Sequence, residues 1–261
     1  MKKEYENLDR VQYIVETDKV VHWIVVCFVC IEFALILLDL ILAFTPWIPV
    51  IELQKIFDMT RERSTGTWLS VTLSLLCGIA LLMIFFAVKA CGCPKKEAVG
   101  WFFLSVFFVY MSVDDAAWIH ERSGDFLDRL VSSNALPYGL SSIVGKFPTY
   151  YWFLIMGPFF AAMGLFMLSF LWQRFGKLGL RKYIIFPMIG LAGALLIDFA
   201  EGTGRGIWRL KTVTGMSERS VFHLIRLTEE SLEILSIILL LLAFMKYLSI
   251  ILKDKHILIS K

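Results

Sequence analysis

Six apolar runs, each close to the length needed to cross a bilayer, decide most of what this chain can fold into. They fall near residues 20–44, 67–88, 99–118, 150–172, 183–199 and 224–244. A hydrocarbon layer offers no water to backbone N–H and C=O groups, so a span must satisfy them internally as a helix or within a closed barrel. Runs of about 20 apolar residues suit helices, because barrel strands are about half that length and alternate. The residues are 58% hydrophobic and 19% charged, which is more apolar and less charged than a soluble domain. The expected fold is therefore all-α: one integral membrane domain over residues 1–261, made of six transmembrane helices.

The ends of these runs orient them. Lys89, Lys95 and Lys96 crowd the turn after the second run, and Arg174, Lys177, Arg181 and Lys182 the turn after the fourth. Lys2, Lys3, Arg10 and Lys19 precede the first run, and Lys246, Lys253, Lys255 and Lys261 follow the sixth. Short basic loops stay on the cytoplasmic side, so both termini are expected in the cytoplasm and the chain in the cell membrane as a multi-pass protein. Residues 1–19 are charged and amphipathic with no small-residue cleavage site, so the first span is expected to be retained. No outer loop holds a cysteine, so no structural disulfide is expected.

Two connections look amphipathic. Residues 45–66 hold Ile48, Ile51, Leu53, Ile56 and Phe57 among polar side chains, the pattern of an interfacial helix in the first outer loop. Residues 126–131 resemble it. Gly157-Pro158 and Pro187 predict kinks in the fourth and fifth spans.

The polar residues within this apolar frame carry the functional reading. A charge at the centre of a membrane helix costs about 2.5–3.5 kcal/mol on insertion scales, so such residues are functional candidates. With the topology above, Asp114, Asp115, His120 and Glu121 come to the outer end of the third span. Asp198 and Glu201 come to the outer end of the fifth. His223, Arg226, Glu229, Glu230 and Glu233 begin the sixth, and Asp39 ends the first. At about 100° per residue, Asp114 and Glu121 share a stripe, as do Asp198, Glu201 and Arg205 if the helix runs that far, and His223, Arg226, Glu230 and Glu233.

Three readings compete. In the first, Asp115, His120, Glu201, Glu230, Glu233 and His223 ligate a divalent metal such as zinc, iron, manganese or calcium. A metal-bound water would attack an ester or phosphoester of a lipid-like substrate, with Glu121 or Glu230 as general base. In the second, the chain is a cation or proton-coupled transporter, with Glu32 extending the path inward. In the third, Arg205, Arg209 and Arg226 neutralise the acids and nothing binds. A transport path needs polar groups through the whole bilayer, whereas residues 101–109, 184–196 and 239–244 are apolar. That favours a closed outer-leaflet site and the enzyme reading. Membrane lipids are expected partners; nucleic acid is not, and the sequence leaves the oligomeric state open.

Three patches add a resemblance. They are Arg61-Glu62-Arg63-Ser64-Thr65-Gly66-Thr67-Trp68-Leu69-Ser70, Ser112-Val113-Asp114-Asp115-Ala116-Ala117-Trp118-Ile119-His120-Glu121, and Glu229-Glu230-Ser231-Leu232-Glu233-Ile234-Leu235. Together they resemble a broad group of uncharacterised prokaryotic polytopic membrane proteins. In that group the second acid of the span-three pair is often Glu, where Asp115 stands here, and a Gly often follows the span-six acids near Ser236. The resemblance implies that Glu62, Asp115, His120, Glu121, Glu230 and Glu233 act as one set. It implies no activity.

Overall fold

The computed structural model describes residues 2–45, 51–133 and 135–259, with side chains described for 19–45, 51–133, 135–137, 139–204 and 210–253. Eleven helices and no strand occur among the described residues. They are α1 (Lys2–Phe44), α2 (Ile51–Phe57), α3 (Thr65–Ala90), α4 (Lys95–Ala117), α5 (Ile119–Ser132), α6 (Tyr138–Val144), α7 (Trp152–Ile155), α8 (Gly157–Gly176), α9 (Lys182–Gly202), α10 (Arg205–Thr214) and α11 (Glu218–Ile259). Six stretches are long and apolar enough to cross a membrane: Lys19–Phe44, Thr65–Ala90, Lys95–Ala117, Gly157–Gly176, Lys182–Gly202 and Glu218–Lys253.

The centre of the bundle is α3, α4 and α11. Leu69, Leu73, Cys77, Leu81 and Ile84 of α3 are buried against Trp101, Leu104 and Phe108 of α4 and Ile234, Ile238, Leu241 and Phe244 of α11. In lipid, helices gain little from hiding apolar surface, so close contact and polar contacts hold them together. Gly78 serves the first need: a Cβ there would stand 2.9 Å from a methyl of Val109. Ser105 and Ser112 of α4 serve the second, donating to Gly78 O at 2.8 Å and Val71 O at 2.9 Å on α3. Gly190 on α9 takes the side chain of Ser236 on α11 in the same manner.

Local signals set the helix ends. Ser64 caps α3 by accepting Thr67 N–H at 3.3 Å. The chain reverses after α3 at Gly92, whose φ of +71° suits glycine, and Pro94 precedes α4. Three ends differ from the periodicity. The fourth span starts at Gly157, not residue 150, because Pro158 lies in the first turn, where its missing N–H costs nothing. Residues 152–155 form the separate turn α7. Pro187 lies inside α9, which continues through it. The third span ends at Ala117, because Trp118 is left-handed (φ 56°, ψ 45°) and turns the chain into α5. Asp114 and Glu121 therefore do not lie on one continuous helix. Likewise α9 stops at Gly202 and Gly204 is left-handed, which ends the stripe before Arg205. The side chains of Arg205 and Arg209 lie outside the described residues.

The expected interfacial stretch contains one described helix, α2, followed by the loop to α3. Ile48 lies outside the described residues. The second amphipathic stretch is part of the longer α5, on which Phe126 is exposed.

Candidate functional site: an acid-lined cavity

The C-terminal ends of α4 and α9, the N-terminal part of α11 and the entry to α3 enclose a cavity of about 890 Å³. Its size falls in the range of small-molecule sites. Asp115 enters from α4, Asp198 from α9, Glu229, Glu230 and Glu233 from α11, and Glu62 from the loop before α3. The joint after α4 adds His120 and Glu121. Helix α5 brings Glu121, Gly124, Asp125 and Asp128 to the same wall, because positions three, four and seven apart share a helix face. Asp125 and Asp128 were legible as that stripe and were missed. Phe147, Tyr150, Tyr151 and Trp152 close another side. The six residues grouped by the resemblance all line this one cavity.

The cavity stops within the bundle. Past Glu233, α11 continues with Ile234, Ile237 and Ile238, all buried, and α3 faces them with Leu73 and Cys77.

His120 is held by Asp114, whose side chain is wholly buried. Asp114 Oδ1 accepts the backbone N–H of His120 at 2.9 Å, and Oδ2 lies 2.7 Å from Nδ1. Trp152 meets the imidazole edge-on, with ring centroids 5.1 Å apart. Burial alone would lower the imidazole pKa, but the hydrogen bond and charge of Asp114, with Glu121 behind it, outweigh burial and raise it to about 9. His120 is thus an imidazolium at neutral pH. The joint itself is braced from across the cavity mouth. Arg63, also left-handed at φ 62°, lays its guanidinium 4.6 Å from the centroid of the Trp118 ring. Two non-glycine residues in this sparsely populated region thus stack on each other, beside the cavity that Trp118 lines.

Arg226 is committed in the same way. Its Nε donates to Glu201 Oε1 at 2.9 Å, and Tyr150 donates its hydroxyl to that oxygen at 2.6 Å. Glu201 is buried beside the cavity but does not line it. Arg61 reaches Asp58 at 3.4 Å. Each cation on the cavity wall is therefore paired with an acid that is not on the wall. The lining carboxyls are Glu62, Asp115, Glu121, Asp125, Asp128, Asp198, Glu229, Glu230 and Glu233, and among the described residues none of these nine is in an ion pair. Asp115 accepts a hydrogen bond from Ser70 at 2.7 Å. Burial, and then the neighbouring Glu121 carboxylate, push the Glu62 carboxyl up to about 7. One wall thus carries a group that titrates near neutrality and another held protonated above it.

His223 is elsewhere. It lines a second cavity of about 500 Å³, with Asp39, Asp58, Gln54 and Arg219; Thr60, Arg61 and Arg226 line both cavities. His223 Nε2 lies 2.8 Å from Asp39 Oδ2. Among the described residues, Asp39, Asp58 and His223 are the group whose ligand atoms all lie within 4.8 Å of one another. Among the described residues the larger cavity shows no trio that tight. Of the residues expected to ligate together, Asp115, His120, Glu230 and Glu233 share the large cavity, Glu201 stands behind it, and His223 faces the smaller one.

Neither a curated protein nor a solved structure matches the chain. The profile of a family described as Domain of unknown function (DUF8692) matches residues 22–248, reaching from the first candidate span into the last. The chain belongs to that family.

Proposed function

We propose that the large cavity is the active site of a cation-dependent membrane hydrolase acting on an ester or phosphoester of a lipid-like substrate. One observation carries this reading: nine lining carboxyls have no ion-pair partner among the described residues, where His120, Arg226 and Arg61 are each paired with an acid off the wall. Salt bridges among the described residues therefore leave these acids unneutralised. Asp115, Glu121, Glu230 and Glu233 would hold a divalent cation, which would relieve their repulsion and supply Lewis-acid polarisation.

Two flanking groups have the pKa values that acid–base chemistry at neutral pH needs. Glu62, at about 7, accepts a proton from the attacking water. His120, at about 9 and held by Asp114, donates one to the departing alkoxide. Pairs of titrating groups pushed apart in this way mark acid and base roles. Below Glu233 the buried Ile234, Ile237, Ile238, Leu73 and Cys77 support a closed site over a conducting path, with Glu32 as the buried carboxyl on that side. The basic turns after α3 and after α8 lie at the opposite end, so the cavity faces outward, both termini lie in the cytoplasm, and α2 and α5 rest on the outer interface. The whole chain then works as one helical domain in the cell membrane.

The test uses purified protein in vesicles that carry a fluorescent phospholipid, with manganese or zinc supplied. Metal-dependent release of a water-soluble product is expected, falling by at least about 100-fold in Glu62→Gln and His120→Gln. Cation flux into the vesicles that requires Glu32, with no hydrolysis, overturns the enzyme reading in favour of transport.

A further inference from the structure

We propose that Asp39, Asp58 and His223 form a second divalent-cation site, separate from the large cavity, that ties α1 and the loop after α2 to the first turns of α11. The three residues come from three parts of the chain, and their ligand atoms all lie within 4.8 Å of one another. Asp39 is 1% exposed and accepts Met59 N–H at 3.1 Å through Oδ1, which fixes its carboxylate. Its Oδ2 faces His223 Nε2 at 2.8 Å.

The hydrogen bonds within the group leave room for an ion when the imidazole is neutral and carries its hydrogen on Nε2. Thr60 Oγ1 has one hydrogen, and Asp58 Oδ1 takes it at 2.6 Å. That oxygen lies 3.5 Å from His223 Nδ1 and has no hydrogen left to give it. With Nε2–H donating to Asp39, the Nδ1 lone pair of a neutral His223 has no donor. It faces Asp58 Oδ1 across 3.9 Å. Two ligand atoms that each stand about 2.0–2.2 Å from one ion are separated by no more than about 4.4 Å, so that gap admits a cation. The imidazole is already oriented by a carboxylate on its other nitrogen, the usual arrangement behind a metal-ligating histidine. One imidazole and the Asp58 carboxylate, with Asp39 orienting the imidazole from behind, suit zinc, iron or manganese. Water reaches the group through the adjoining cavity of about 500 Å³, which completes the coordination. Arg61 pairs with Asp58 Oδ2 at 3.4 Å, while Oδ1, which also accepts from Thr60, is the oxygen that faces His223.

The structural consequence is specific. Helix α1 is held in the bundle mainly through α11, and an ion at this point fastens its far end there. The role proposed is that of a staple, and it needs no substrate.

The test is equilibrium dialysis of chelator-stripped, full-length protein against zinc, with His223→Gln, Asp58→Asn and Glu233→Gln beside the wild type. Gln preserves a donor to Asp39, and Asn at 58 preserves the contact with Thr60. Loss of one zinc equivalent, or at least tenfold weaker binding of it, in both His223→Gln and Asp58→Asn, with that equivalent kept in Glu233→Gln, supports the second site. Unchanged zinc binding in Asp58→Asn overturns it, whatever happens in Glu233→Gln, and this variant alone decides if His223→Gln does not fold. Loss in Glu233→Gln alone keeps the large-cavity reading and removes this one.

Discussion

Asp114 grips His120 at two points, accepting its backbone N–H at 2.9 Å and facing its Nδ1 at 2.7 Å. The pairing fixes the turn between α4 and α5, the orientation of the imidazole and its charge. A histidine whose folded pKa is raised adds stability that is fully present below about 6.5 and is lost as the pH climbs through about 9. The melting temperature of the wild type should therefore fall between pH 7 and pH 10. Asp114→Asn should be less stable at pH 7 and show a flatter decline. Imidazole NMR should find His120 titrating well below 9 in that variant.

Glu62 predicts a pH dependence of the opposite sign. Its folded pKa, near 7, lies above the ordinary carboxyl value, so folding favours the protonated form. Without a cation, this group makes the protein progressively less stable as the pH rises from about 4.5 to 7. Cation affinity should climb over the same window, since the ion binds the ionised form. Glu121→Gln removes the neighbouring charge and one proposed ligand, so affinity should fall at every pH while the midpoint of its pH dependence moves lower. Isothermal titration with manganese between pH 5 and 8 reads both effects.

Arg226 protects a carboxylate that has little contact with water. The Glu201 side chain is 1% exposed, and one of its oxygens, Oε2, has no hydrogen-bond partner among the described residues. Arg226→Met strips the charge that compensates it and should destabilise the protein by about 3 kcal/mol, the low end for a broken buried pair because Arg226 is partly exposed. Adding Glu201→Met should recover most of the loss. Denaturant unfolding in detergent, with the double variant as control, measures both.

Gly124 lets α5 lie against α7. A Cβ at this position would stand 2.9 Å from Trp152 N, a backbone atom that has little room to yield. Gly124→Ala should cost about 1–3 kcal/mol by overpacking. It should also move the acid-bearing face of α5 and weaken manganese binding, whereas Gly139→Ala, where a Cβ meets nothing within 4 Å, should leave binding unchanged.

The parts of this architecture legible in the sequence are those the bilayer enforces. Apolar runs of bilayer length give the six spans, although the fourth begins at Gly157 rather than 150 and the sixth runs from Glu218 to Lys253 rather than 224 to 244, and charges that hydrocarbon does not tolerate singly had to converge, as Asp115, Asp198, Glu230 and Glu233 do. Periodicity failed where long-range contacts set the backbone. Nothing local marks Trp118 as left-handed; its brace is Arg63, fifty-five positions earlier. Charge counting also failed to show which acid each cation would take. The helical spacing offered Arg226 the neighbours Glu229 and Glu230, yet it turns to Glu201 on α9. His223 looked like a member of the main constellation until α1 and the loop after α2 supplied Asp39 and Asp58.

The most direct test of the unneutralised cavity is the number of divalent ions bound by the purified protein, counted by elemental mass spectrometry after dialysis, in wild type and in Asp115→Asn/Glu233→Gln. A wild-type ion content that falls by one equivalent in the double variant, and by a further equivalent when His223→Gln is added to it, is the predicted result. An equal metal content in wild type and the double variant, with the variant melting higher because two repelling charges are gone, would contradict it.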